Sequence, residues 1–273
     1  MLQKIKNIYH NVLGGNQELH QIKRELYLIR ELLIENQLNN KINGTELNKY
    51  EFQVYSQNGE DGIIKEIIDR LKLESGFFVE FGVQNGLETN TTLLLLKGWK
   101  GLWIEANETD FNYINKKFES KLNSKQLTVM NNFITAENVE HLFDLAKVPV
   151  ELDLLSIDID SNDYWVWKAI KKFSPKVVVI EYNAFYPPDV EWIMPYDNAK
   201  VWDSTTYYGA SLKSLYLLGK EKGYKLIACS YIGVNAFFVR EDLSSKFKDY
   251  PLMEIYQPVR YFLRRDRDLW KSF

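Results

Sequence analysis

Apolar positions in the first part of the chain follow helical steps. Ile5, Ile8, Val12, Leu19, Ile22, Leu26, Ile29 and Leu33 alternate spacings of three and four, with Gly15 in the one missing place, which is a heptad seam. Gly14 and Gly15 interrupt it, since a glycine costs about 1 kcal/mol relative to alanine inside a helix, so the firmer helix is expected over 16–37. Such a seam serves either to pair copies of the chain into a homo-oligomer or to lay an amphipathic helix on its own domain. Lys4 and Lys6 beside Ile5 and Ile8 add a weak handle for an anionic membrane surface. The polar stretch Asn36 to Asn48, which contains Asn-Gly, reads as a linker. The expected organisation is a helical arm and linker over 1–48 and one domain over 49–273.

From residue 50 the period changes repeatedly between helical and extended. Helices are expected near 58–73, 88–97, 108–120, 136–146, 163–172 and 209–222. Short apolar runs predict strands at 77–81, 101–105, 127–133, 153–159, 176–182, 224–229 and 234–239. Strands and helices that alternate at this spacing predict an α/β fold: a Rossmann-like, mostly parallel, doubly wound sheet. The last two runs lie close enough in sequence to form an antiparallel pair.

Ligands of such sheets gather at the carboxyl ends of the strands, and here those ends are polar. They carry Glu80 and Gly82, then Glu105, then Asn131 and Asn132, then Asp158 and Asp160, then Glu181 and Asn183. The first strand breaks at Gly82 into a turn that reaches Gly86 before the next helix. Glu105 ends the second strand 23 residues after Gly82, the spacing of a ribose-binding carboxylate in dinucleotide folds. Ser56 is placed to cap the helix before the first strand, with Gln57, Glu60 and Asp61 beside it. No full GxGxxG and no GxxxxGK phosphate loop occurs.

Alternation puts Asp158 and Asp160 on one side of their strand, and Glu181 and Asn183 on one side of theirs while it continues. Two like charges 4 Å apart repel by about 4 kcal/mol at an effective dielectric of 20, and a divalent cation would relieve this. Oxygen ligands drawn from Asp158, Asp160 or Asp163 with Glu181 and Asn183 suit Mg²⁺, Mn²⁺ or Ca²⁺. The same acids also serve as helix caps in such turns, as Ser161, Asn162 and Asp163 can.

Composition narrows the classes. The chain has 273 residues, 45% of them hydrophobic, which suits one large core with an appendage. A net charge of −3 provides no basic field for nucleic acid. The single cysteine, Cys229, excludes an internal disulfide and fits a reducing cytoplasm. The polar N-terminus does not read as a secretory signal, and no window approaches a membrane span.

The chain resembles class I S-adenosylmethionine-dependent methyltransferases of the FkbM-like kind, a group associated with bacterial surface polysaccharides and sugar-bearing natural products. The resemblance rests on YSQNGEDGII (55–64), FVEFGVQNG (78–86), GWKGLWIEAN (98–107), LLSIDIDSNDYW (154–165) and VVVIEYN (177–183). It implies that Glu80, Gly82 and Gly86 shape the turn beneath the methionine part of the cofactor and that Glu105 accepts from the ribose hydroxyls. It also implies that Asn132 and Phe133 flank the adenine, that Asp158 lies near the reactive end, and that Gln57 meets the amino-acid end. Where the family's glycine loop has a further glycine, this chain has Gln84. Asp158, Asp160, Glu181 and Asn183 are also similar to the ligands of metal-dependent O-methyltransferases.

The resemblance thus implies a cytoplasmic O-methyltransferase that acts on a hydroxyl of a sugar or nucleotide-linked sugar in capsule or lipopolysaccharide biosynthesis, with Mg²⁺ or Mn²⁺ as the metal. Histidine is an improbable base, since His10 and His20 lie on the arm and His141 inside a helix, which leaves Asp160 or Asp163. The segment from Tyr182 to Gly209 is rich in aromatics and polar groups suited to a sugar ring, with Tyr182, Asn183, Tyr207 and Tyr208 as candidate acceptor contacts. Three other readings stay open: a metal-free methyltransferase for an amine or carboxylate, a nicotinamide-dependent sugar oxidoreductase, and a cofactor-binding scaffold without turnover.

Overall fold

The computed structural model describes residues 44–261; the heptad seam and the 16–37 helix lie outside them. Seven strands form one sheet in the order β3-β2-β1-β4-β5-β7-β6. They are β1 (Phe77–Phe81), β2 (Lys100–Glu105), β3 (Leu127–Asn131), β4 (Leu154–Ile157), β5 (Val177–Glu181), β6 (Tyr224–Cys229) and β7 (Asn235–Arg240). The first five pair in parallel, while β7 runs antiparallel to both β5 and β6. This is a Rossmann-like, mostly parallel α/β sheet with a C-terminal antiparallel pair, as the sequence predicts.

Period-two alternation sorts the strand side chains into two layers. Val79, Phe81, Leu102, Ile104, Leu155, Ile157, Val178 and Ile180 face one core. That core is covered by α5 (Val139–Leu145), α6 (Asp163–Ala169), α7 (Leu212–Glu221) and α8 (Leu252–Ile255). Phe78, Trp103, Leu154, Val177 and Val179 face the other. There α1 (Glu60–Leu71) lays down Ile63, Ile64, Ile67 and Ile68, with α2 (Thr92–Leu96), α3 (Glu108–Lys117) and the start of α4 (Glu119–Asn123) beside it. Each fully buried aliphatic side chain contributes about 1.5–3 kcal/mol, so strands covered on both faces tolerate few polar interruptions except at their ends.

One helix differs from expectation for a reason that bears on the site. The run 88–97 becomes helical only at Thr92, because the buried carboxylate of Glu80 accepts from the backbone N–H groups of Asn90 (2.9 Å) and Thr91 (3.0 Å). Those donors are thereby held in a turn. At the other end of the domain, the polar stretch read as a linker closes with Leu47 and Asn48 buried. The Asn48 side-chain amide donates to the carbonyl of Cys229 on β6 at 2.7 Å. Among the described residues no helix is long and apolar enough to cross a membrane.

Candidate functional site

The strand order reverses between β1 and β4, where connections leave in opposite directions and open a crevice beyond the carboxyl ends. A cavity of about 550 Å³ occupies it. Of the residues singled out in the sequence, Gln57, Glu80, Gly82, Glu105, Asn132, Phe133, Asp158, Asp160, Glu181 and Tyr208 line this cavity.

The wall formed by β1 and β2 is built around two carboxylates. Gly82 has φ +66°, and a Cβ there would stand 1.9 Å from the carbonyl oxygen of Asp158, so only glycine lets the ends of β1 and β4 approach. Gln84 adopts the left-handed region at φ +48°. Its N–H donates to Oε2 of Glu105 at 2.7 Å, and Asn107 N–H donates to Oε1 at 2.7 Å. The carboxylate lines the cavity, and burial raises its pKa. Glu80 spends both oxygens on Asn90, Thr91 and Ser156, and burial likewise raises its pKa. It orders the loop rather than offering a free acceptor.

Across the crevice, Asp158, Asp160 and Glu181 bring one oxygen each within 4.8 Å of one another. Burial, followed by the charges of Asp160 and Asp163, pushes the Asp158 carboxyl well above the usual range. Three hard oxygen donors at this spacing fit Mg²⁺ or Mn²⁺, and no nitrogen or sulfur ligand stands among them.

Five predicted site residues are placed elsewhere. Asp163 is buried, and its carboxylate accepts from Ile159 N–H (2.9 Å) and Ser161 N–H (3.1 Å), which folds the turn after β4. Asn183 is fully buried: its amide donates to the carbonyls of Thr206 (2.8 Å) and Tyr208 (2.9 Å) and accepts from Phe185 N–H (3.2 Å). It is a brace rather than a metal ligand. Tyr182 is equally buried, with its hydroxyl donating to Gln257 O. Gly86 is a packing position, because a Cβ would meet the Trp103 ring at 2.8 Å. Tyr207 packs edge-on to Trp192, 5.3 Å between ring centres, away from the cavity.

The acceptor side has other members. Phe185 and Trp202 line the cavity and are each 48% exposed. The Trp202 indole N–H donates to Thr205 O (2.9 Å), and Phe185 stands edge-on to Tyr261. Asn235 and Tyr261 also line the cavity and were not singled out. Asn235 starts β7 opposite Glu181, a neighbourhood set by sheet pairing and invisible in local sequence. Gly209 to Ser211 form an ordinary helix start: the Ser211 side chain accepts from Ser214 N–H, and Ala210 bridges to Ile193.

Strand order and crevice define a Rossmann-like α/β domain with a cavity at its switch point. Compared with known proteins, no family model and no curated protein matches the chain. Solved structures share its general architecture. One is a Staphylococcus aureus protein assigned as a caffeoyl-CoA O-methyltransferase, 15% identical over 78% of this chain and 99% of that one, TM-score 0.49. Another is the N-terminal domain of EvdMO1 with S-adenosylhomocysteine bound, 12% identical over 80% and 94%, TM-score 0.43. A third is an S-adenosylmethionine-dependent methyltransferase from Clostridium acetobutylicum, 12% identical over 66% and 90%, TM-score 0.41.

Proposed function

We propose that the protein is a cytoplasmic S-adenosylmethionine-dependent O-methyltransferase of the FkbM-like kind. In this reading it methylates a hydroxyl of a sugar or nucleotide-linked sugar for a bacterial surface polysaccharide, and the arm over 1–48 pairs copies of the chain. The observation that carries the cofactor is Glu105: a buried carboxylate at the end of β2, turned to the cavity beside the side-chain-free turn at Gly82. That arrangement receives a ribose diol against a close backbone.

The roles follow from position. Glu105 orients the ribose, Phe133 flanks the base, and Gly82 leaves room for the sulfur-bearing chain. Bound S-adenosylmethionine supplies a methyl group on a positive sulfur. That methyl group would pass to the acceptor oxygen, so the chain's own task is to hold the acceptor hydroxyl in line with it. Asp160, on the cavity wall, receives the hydroxyl proton. Asp158, Asp160 and Glu181 would hold the divalent cation, which lowers the pKa of a hydroxyl beside it.

The test is calorimetric titration of the full-length protein with S-adenosylhomocysteine, with NAD⁺ as control and Glu105→Ala beside wild type. Binding that weakens in the variant supports the reading; uptake of NAD⁺ in its place overturns it.

A further inference from the structure

Aromatic rings continue outside the cavity, on the same chain segments that form its acceptor wall. Tyr186 and Trp192 stack with 4.4 Å between ring centres and 16° between planes, and Tyr207 meets Trp192 edge-on at 5.3 Å. None of the three lines the cavity, but their chain neighbours do: Phe185 precedes Tyr186, and Thr206 and Tyr208 flank Tyr207. Tyr207 is exposed, and Tyr186 and Trp192 are half-buried. The rim of the cavity thus carries rings on its inner side, at Phe185 and Trp202, and a second group on its outer side.

Buried hydrogen bonds hold both groups in register. The Asn183 amide donates to the carbonyls on either side of Tyr207, while its side-chain oxygen accepts from Phe185 N–H (3.2 Å) and its backbone carbonyl from Tyr186 N–H (3.3 Å). One buried residue therefore positions an inner ring and two outer ones. Trp192 is pinned to the start of α7: its N–H donates to the Ser211 hydroxyl oxygen at 3.1 Å. Its carbonyl accepts from Ser211 N–H (2.8 Å) and from the Ser214 hydroxyl (3.0 Å). Rings on backbone fixed in this way lose little freedom when a ligand arrives.

The polar atoms of the outer group are unspent. Elsewhere the hydroxyls of Tyr182, Tyr224 and Tyr256 and the indole N–H groups of Trp165 and Trp202 each donate to a backbone carbonyl. Among the described residues, none takes up the hydroxyl of Tyr186 or Tyr207 or the indole N–H of Trp192. An apolar ring face with a donor or acceptor at its edge suits a sugar unit, whose C–H face covers the ring while its hydroxyls meet the polar edge. A flat base finds no slot between Tyr186 and Trp192, which already close on each other at 4.4 Å.

We infer that the acceptor is a saccharide of at least two units: the unit to be methylated sits in the cavity against Trp202 and Phe185, and the unit linked to it lies outside, on Tyr207 and Trp192. The inference rests on the sugar-methyltransferase reading above and names the substrate class of that site.

The test uses full-length protein, both loaded with S-adenosylhomocysteine and free of it, so that the saccharide series is read however the cofactor behaves. Maltose, lactose, mannobiose and chitobiose are titrated by saturation-transfer NMR beside glucose, galactose, mannose and N-acetylglucosamine, with UDP-glucose as a further probe. At least one disaccharide should bind about three- to tenfold more tightly than its monosaccharide, with saturation on both rings. Tyr207→Ala and Trp192→Ala should bring that disaccharide down to the affinity of the monosaccharide, and leave the affinities for the monosaccharide and for S-adenosylhomocysteine unchanged. Circular dichroism checks the folding of both variants. Disaccharides bound no more tightly than monosaccharides, or variants that weaken both alike, overturn this inference and leave the methyltransferase reading standing. So does UDP-glucose that places its base on the outer rings, with transfer to the base lost in the same two variants. A panel in which no saccharide binds overturns the inference together with the sugar reading, whereas failure of S-adenosylhomocysteine alone counts against the enzyme reading.

Discussion

The N–H of Gln84 donates to Oε2 of Glu105 at 2.7 Å, tying the turn after β1 to the end of β2 across a parallel strand pair. One carboxylate therefore both shapes the turn and faces the cavity. Glu105→Ala is expected to weaken S-adenosylhomocysteine binding about ten- to a hundredfold, the range for losing a hydrogen bond to a charged group. Calorimetry on wild type and variant reads it directly.

Gln84 holds φ +48° with a side chain attached. A left-handed residue costs about 1–2 kcal/mol, which glycine recovers in part and then loses to chain entropy. Gln84→Gly should shift unfolding stability by about 1 kcal/mol or less, whereas Gln84→Val, branched at Cβ, should destabilise clearly. Urea midpoints at constant slope distinguish the two.

Gly82→Ala places a methyl 1.9 Å from Asp158 O at φ +66°. Backbone must move, at a cost of about 2–4 kcal/mol when left-handed strain and overpacking are combined. A lowered Tm together with weakened S-adenosylhomocysteine binding is expected, because the same movement widens the floor of the cavity.

Burial pushes the Asp163 carboxyl up to about 7 from an ordinary 3.8, against its hydrogen bonds from Ile159 and Ser161. The folded state then holds a proton that the unfolded chain has released between those two values. Stability from this group is therefore lost as pH rises from about 4 to about 7, by at most about 1.4 kcal/mol per pH unit. Tm measured across that window should show a shallower decline in Asp163→Asn than in wild type.

Asp158 and Asn183 were grouped in sequence as metal ligands, but they have different surroundings. Asp158→Asn should weaken Mn²⁺ binding about tenfold or more by electron paramagnetic resonance, with Tm largely kept. Asn183→Ser should leave Mn²⁺ affinity unchanged and destabilise by about 1–3 kcal/mol through the loss of its bonds to the carbonyls of Thr206 and the buried Tyr208.

That contrast marks how far the sequence reaches. Strand positions were legible because β1, β2, β4 and β5 are short apolar runs ended by acids, and the polar ends follow from ligand geometry rather than core packing. Period two places Asn183 with Glu181 only while the strand continues, and β5 stops at Glu181. Asp160 and Asp163 could not be ranked as bases, since Asp160 lies in a left-handed turn at φ +57° that redirects the chain between them. The aromatic segment showed its composition but not its burial, so Tyr182 and Tyr207 stood level with Trp202. Tyr261 and Asn235 reach the cavity through the antiparallel return of β7 and the C-terminal segment, contacts no local pattern encodes.

The cavity draws its lining from Gln57 through Tyr261, nearly the full span of the described chain, so no fragment of the sheet contains it. Any molecule that fits must stabilise the domain as a whole, by about 2.7 kcal/mol at a hundred times its dissociation constant. In a cell the abundance of such a protein would follow the supply of the molecule it binds, with starved copies the first to be degraded. On the bench, the melting curve becomes a search instrument for the molecules that fit the cavity.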